Sequence, residues 1–184
     1  MGRIGDIALA TQVAVLGNKR AFDQLVRQYQ EPVRRFLLSQ TLGNEALCDD
    51  LAQDTFLKAY THIGQYRGTS SLQTWLIRIA YNAWYDYIRK TRKEASGTST
   101  TDDAAIANAT DTDYHDSALK EDIGRALAIL RAEERSCITL QIVEGYSIDE
   151  IAHITGMPPN TVKSHLRRGK DKLANYLRQN GYDR

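Results

Sequence analysis

Apolar residues recur at three- and four-residue steps along the chain, and nowhere do apolar and polar residues alternate in the two-residue period of a half-buried strand. The pattern predicts an all-α protein. A short helix is expected from about Asp6 to Leu16, stopped by Gly17-Asn18, and a second from about Arg20 to Thr41 with Ala21, Phe22, Leu25, Val26 and Tyr29 inward. Pro32 lacks a backbone N–H and is expected to kink or split the second helix. A third helix follows Gly43-Asn44 and runs through about His62, closed by Gly64. After the loop GQYRGTS comes a long helix from about Ser71 to Lys93. Four more are expected over Leu119–Arg131, Ala132–Glu144, Ile148–Thr155 and Pro159 to about Gln179.

Between these helical blocks, Ala95–Ser117 is rich in Thr, Ser, Asp and Ala and carries no convincing apolar period. Two small helical domains are therefore expected, residues 1–94 and 118–184, joined by a flexible acidic linker over 95–117. The formal net charge of +1 conceals this division. Met1–Ala95 holds 13 Lys/Arg against 9 Asp/Glu, whereas Ser96–Leu119 holds 5 Asp and no base. Two mildly basic modules around an acidic connector suit contact with a polyanion.

The strongest local motif is SIDEIAHITGMPPNTVKSHLRRGKDKL. Ser147 and Glu150 stand in capping-box relation, Ala152 is small where two helices cross, and Gly156 permits a left-handed turn. Ile151, Met157, Val162 and Leu166 would fill a shared core, and Pro159 suits the first turn of a helix. Asn160, Lys163, Ser164, Arg167 and Arg168 lie away from the Val162–Leu166 stripe. This is a helix-turn-helix, with Ser147–Leu173 presenting a basic face to the major groove of duplex DNA.

Two N-terminal segments also carry candidate chemistry. In SSLQTWLIRIAYNAWYDYIRKTRK, Leu72, Leu76, Ile79 and Ala83 form an apolar stripe, and Arg78, Asn82, Asp86 and Arg89 a polar one. Trp75, Tyr81, Trp84, Tyr85 and Tyr87 are either core or a platform for unpaired bases, and the preceding Tyr66-Arg67 flanked by glycine suits an extruded base. In CDDLAQDTFLKAY, Leu51, Phe56 and Ala59 can pack inward while Asp50, Gln53, Asp54 and Lys58 stay outside.

The order of AFDQLVRQYQ, DDLAQDTFLKAY, YRGTSSLQTWLIRIAYNAWYDYIRK, an acidic linker and the helix-turn-helix resembles the extracytoplasmic-function group of bacterial sigma factors. The resemblance implies an alternative sigma factor that binds core RNA polymerase and directs promoter recognition, melting and initiation. It places Asp50, Leu51, Gln53, Asp54, Phe56 and Lys58 against the clamp of the largest polymerase subunits. Tyr66, Arg67, Ser70, Trp75, Arg78, Asn82 and Arg89 correspond to the segment that reads and melts the minus-ten element. Asn160, Thr161, Lys163, Ser164, His165, Arg167 and Arg168 correspond to the minus-thirty-five contacts. It further implies an anti-sigma partner and a chain that is monomeric when free. The chain departs from the usual pattern at Arg131, where a proline is frequent, at Pro158-Pro159, and at His165 in place of a frequent arginine.

Other classes find little support. No apolar run approaches the roughly 20 residues that span a bilayer, and no signal peptide opens the chain, so a cytoplasmic protein is expected. Cys48 and Cys137 are expected as buried, reduced thiols, and His62, His115, His153 and His165 form no metal-ligand cluster. No nucleophile–base pair, phosphate loop or metal set appears, so neither catalysis nor a cofactor is expected. A stand-alone helix-turn-helix regulator, which would bind a palindrome without polymerase, is the first alternative; an adaptor acting only on proteins is the second.

Overall fold

The computed structural model describes residues 3–96 and 116–181. Its elements are α1 (Arg3–Leu16), α2 (Lys19–Gln40), α3 (Glu45–His62), a 3-10 turn (Ile63–Gln65), α4 (Leu72–Ser96), α5 (Asp116–Ala128), α6 (Ala132–Ile138), a π-helical turn (Thr139–Val143), α7 (Ile148–Thr155) and α8 (Pro159–Gln179). The all-α reading therefore holds among the described residues. The acidic stretch 97–115 lies outside them, and the helices claim the ends of the expected linker, since α4 reaches Ser96 and α5 starts at Asp116.

Local chemistry sets most boundaries. The side chains of Asn18 and Asn44 accept the backbone N–H of Ala21 and Leu47, capping α2 and α3. α1 begins at Arg3, earlier than the pattern predicts, and Asp6, which interrupts the apolar run, is buried and used: it accepts the Tyr29 hydroxyl at 2.7 Å and the Gln28 amide at 3.2 Å. Burial and the neighbouring Asp6 hold the Tyr29 phenol above its ordinary pKa. Pro32 does not split α2. The hydrogen bond it cannot make is outweighed by Val33, Phe36 and Leu37, which are fully buried just beyond it.

The expected helix Ala132–Glu144 is not regular. α6 stops at Ile138 and widens into the π-turn, where Glu144 N–H reaches Thr139 C=O at 3.1 Å, and Gly145 (φ +74°) reverses the chain. The preceding helix ends at Ala128 rather than Arg131, and Arg131 instead stands at the start of α6, its N–H donating to the Glu134 carboxylate.

α1–α4 form one bundle, with α4 packed against both α2 and α3. α5, α6 and α7 pack on α8. These are the two expected helical domains, and they touch: α4 lies against α7, and α2 against α6 and the π-turn. One continuous core results, with Phe36 and Trp84 from the first group and Leu140 and Ile151 from the second. Cys48 and Cys137 are free and buried within it.

Candidate nucleic-acid interface

The helix-turn-helix forms from the cues that predict it. Glu150 N–H donates to Ser147 Oγ at 3.3 Å, and Ser147 N–H donates to the Glu150 carboxylate at 2.9 Å. Gly156 takes φ +73° and returns its N–H to Ala152 C=O, a conformation that costs a β-carbon-bearing residue strain. Ile151, Ile154, Val162 and Leu166 are buried between α7 and α8, with Met157 half-buried beside them. Pro158 precedes α8 with no side-chain cap, and its carbonyl accepts the N–H groups of Thr161 and Val162.

Asn160, Lys163, Ser164, Arg167 and Arg168 are exposed, and Thr161 and His165 half-buried, on one side of α8. They are not equivalent. Ser164 Oγ donates to Asn160 C=O at 2.9 Å, leaving its lone pairs outward. Burial and the nearby Arg168 push the His165 imidazole down, toward its neutral form, with Arg168 Nη2 3.3 Å from His165 Nδ1. Among the described residues no ion pair holds Lys163 or Arg167.

Glu134 steadies this helix. Its side chain is 2% exposed, accepts Lys172 Nζ at 2.7 Å, and lies 3.8 Å from Arg168 Nε. Burial opposes its charge, but the bonds from Lys172 and the Arg131 N–H win and hold its pKa below the ordinary carboxylate value. Its contribution is complete above that ordinary value and disappears as pH falls through the lowered folded-state one. Melting wild type and Glu134→Gln across acid pH should show a wild-type advantage at neutrality that vanishes in acid; a constant difference would refute this. Immediately after Arg168, Gly169 brings α8 onto α6 so closely that a β-carbon there would lie 2.8 Å from Ile138 Cγ1.

On the first group, Ser71 Oγ accepts the Thr74 N–H at 3.0 Å and starts α4. In the loop before it, the Tyr66 hydroxyl donates to Ser70 C=O at 2.9 Å, and the Tyr66 and Trp75 rings meet at 5.7 Å. Arg67 is exposed at its tip, beside a groove that the loop forms with α1. Arg78, Asn82, Asp86 and Arg89 make an exposed polar face, with Arg89 donating to Asp86. The structure thus brings the loop, Trp75, Arg78 and Asn82 to one end and side of α4. The apolar face of α4 is wider than the expected stripe, because Ile77, Ala80, Tyr81, Trp84 and Ile88 are also buried while Ile79 is only partly so. Trp84 and Tyr81 are therefore core residues, not base platforms, whereas Trp75 keeps a half-exposed ring.

On α3, Asp50 and Gln53 are exposed, and Asp54 and Lys58 form an ion pair at 2.7 Å. Leu51 is buried, so it shapes this surface from beneath and cannot offer a contact itself; Phe56 is half-buried on the core. Leu57 was absent from the expected surface, yet it is 62% exposed between the charged residues. The Phe56-Leu57 pair by itself gave no signal of this, since helical neighbours about 100° apart can both be buried, as Phe36 and Leu37 are on α2.

Residues 25–94 match the family Sigma-70 region 2, and residues 120–173 match Sigma-70, region 4. The chain is 32% identical over 151 residues to ECF RNA polymerase sigma factor SigM of Bacillus subtilis, covering 82% of this chain and 91% of that one. It is 33% identical over 161 residues to RNA polymerase sigma factor CarQ of Myxococcus xanthus, covering 88% and 91%. Among solved structures, the sigma factor RpoE in complex with the anti-sigma factor NepR from Bartonella quintana aligns with TM-score 0.70 and 28% identity, over 89% of this chain and 98% of that one. CnrH in complex with the cytosolic domain of CnrY aligns with TM-score 0.67 and 26% identity, over 95% and 98%. With both helical groups matched in order and a capped helix-turn-helix carrying an exposed basic face, the chain belongs to the ECF RNA polymerase sigma factors.

Proposed function

We propose that this sigma factor divides promoter recognition between residues 1–94 and 118–184. α8 reads the minus-thirty-five element as duplex: Lys163 and Arg167 reach bases or phosphates, Asn160, Thr161 and Ser164 supply hydrogen bonds, Arg168 contacts the backbone from its tether to Glu134, and neutral His165 fits beside them. Tyr66, Arg67, Ser70, Trp75, Arg78, Asn82 and Arg89 read and open the minus-ten element. The observation that carries this reading is the half-exposed Tyr66–Trp75 pair next to the exposed Arg78 and Asn82. Aromatic faces hold unpaired bases and cations hold their phosphates. Separating base pairs costs roughly 1.4 kcal/mol per stacked step. A few stacking contacts of about 1–3 kcal/mol each offset that cost. The reaction needs no covalent step by the protein, only tighter binding of melted than of paired DNA.

Asp50, Gln53, Asp54, Leu57 and Lys58, backed by Leu51 and Phe56, form the surface for the polymerase clamp. Leu57→Asp should weaken core binding about tenfold or more while leaving the fold intact, because an exposed apolar anchor is lost without disturbing the core. Titration of core polymerase with labelled protein checks this, and unchanged affinity would remove Leu57 from the interface. No helix among the described residues is long and apolar enough to cross a membrane; as a factor acting on core polymerase, the chain is proposed to work in the cytoplasm. RpoE was solved with the anti-sigma factor NepR, and an anti-sigma partner is proposed here also. Reconstituted transcription tests the whole: purified protein and core polymerase must start RNA from specific promoters, and tight palindrome binding without polymerase would favour a stand-alone regulator instead.

A further inference from the structure

α1 packs on α2 and on the 3-10 turn that leads into the loop before α4. Leu9, Ala10 and Val13 are buried, and Asp6 pins the helix through the 2.7 Å bond that its carboxylate accepts from the Tyr29 hydroxyl of α2. Ile7 is 41% exposed and reaches the loop instead. Its Cδ1 lies 3.2 Å from the point where a β-carbon would stand on Gly68, a residue with φ +68°. Gly68 therefore answers two demands at once, a left-handed backbone and the close approach of Ile7. Further along α1, Ala14 Cβ comes within 3.9 Å of the corresponding point on Gly64. Ile7, Ala10 and Thr11 make one wall, and Ile63, Tyr66 and Gly68 the other, of a groove of about 240 Å³.

The loop is tied at both ends. Tyr66 N–H donates to Ile63 C=O at 3.0 Å, and the Tyr66 hydroxyl donates to Ser70 C=O at 2.9 Å. Between these attachments lie Arg67, Gly68 and Thr69, and the residue that Ile7 covers is the middle one. A recognition loop holds its side chains less exactly than a helix face does, so its precision depends on what rigid elements pack against it. α1 is such an element. It lies outside residues 25–94, which match Sigma-70 region 2, whereas the loop lies inside them.

We infer that α1 sets the shape of loop 66–70, with Ile7 as a positioning residue and the Asp6–Tyr29 bond as its anchor, so that minus-ten recognition by this chain depends on its first helix. The inference rests on the assignment of this loop to the minus-ten element proposed above. Ile7 acts through Gly68: a shift of that backbone passes to Arg67, its covalent neighbour, and to the Tyr66–Trp75 ring contact. Shortening Ile7 leaves a gap beside the loop backbone and lets the loop sample other shapes.

The test uses the full chain with core polymerase, and single-stranded minus-ten oligonucleotides substituted one base at a time. Wild type should prefer one base at a position that meets the loop. Ile7→Ala should weaken that preference at least about fivefold and slow promoter opening about tenfold, as expected when contacting groups are held slightly out of place. Core affinity, binding to the minus-thirty-five duplex and the melting midpoint should stay near wild type, since Ile7 is already partly exposed. Asp6→Asn keeps an acceptor for the Tyr29 hydroxyl and should retain the base preference, whereas Asp6→Ala should lose it. Ile7→Ala and Gly68→Ala together should lose less than the product of the single losses, because a methyl group at position 68 fills the space that Ile7 vacates. Wild-type preference and opening by Ile7→Ala would overturn the inference. So would equal losses of core and duplex binding, which mark general destabilisation, or strictly multiplicative losses in the double variant. If wild type itself neither prefers a base nor opens the promoter, the assignment of the loop fails, and the inference with it.

Discussion

Lys163→Ala combined with Arg167→Ala should cost promoter binding by the holoenzyme roughly a hundredfold or more, at about 1–3 kcal/mol for each lost base or phosphate contact. Both side chains are exposed one turn apart on α8, and the residues that hold the helix, Val162 and Leu166, are untouched. Alanine favours the helix, so the loss is of contact and not of fold. The salt dependence should weaken by about two charges if both residues meet phosphates, and hardly at all if both read bases. Fluorescence anisotropy on a minus-thirty-five duplex at several salt concentrations separates these cases. Arg168→Ala should cost less, since that guanidinium already lies near Glu134 and His165. A double variant that binds as tightly as wild type would remove α8 from the promoter.

The largest effect on stability is expected at Trp84. It is wholly buried, stacks on Tyr87 with centroids 5.9 Å apart, and has Arg135 of the other helical group over its ring. Trp84→Ala should cost about 3–5 kcal/mol, because the lost burial is compounded by a cavity that the surrounding helices cannot collapse. At about 2–4 °C per kcal/mol for a chain of this size, the melting midpoint falls by roughly 10 °C. Trp75→Ala, by contrast, removes a half-exposed ring and should melt near wild type while failing to open the promoter. Calorimetry of the pair decides between these assignments; similar melting of Trp84→Ala and wild type would contradict the role given to Trp84.

The contrast between the two tryptophans shows where sequence reading stops. Nine residues separate them on α4, which at about 100° per residue turns them to opposite sides of the helix. That they differ is visible in the sequence. That the Trp84 side is the one roofed by α6 is not, because the covering residue, Arg135, lies in another helical group. The same reason explains Leu51 and Leu57: their positions on α3 are periodic, but which of the two is buried depends on α4 packing alongside.

The helix-turn-helix was legible from Ser147, Glu150, Gly156 and Pro159 because a cap, a left-handed turn and a first-turn proline act on backbone groups within four residues. The helix order, the basic face of α8 and the polar face of α4 follow likewise from spacing along a single helix. The continuation of α2 through Pro32 and the π-turn after Ile138 needed the tertiary structure, since packing overrides local preference at both. So did the contact between the two groups. Arg35 and Glu144 stand 109 residues apart, and Gln40 and Ser136 stand 96 apart. Nothing local marks either pair, because their energies exist only once two separately formed helical groups come into contact.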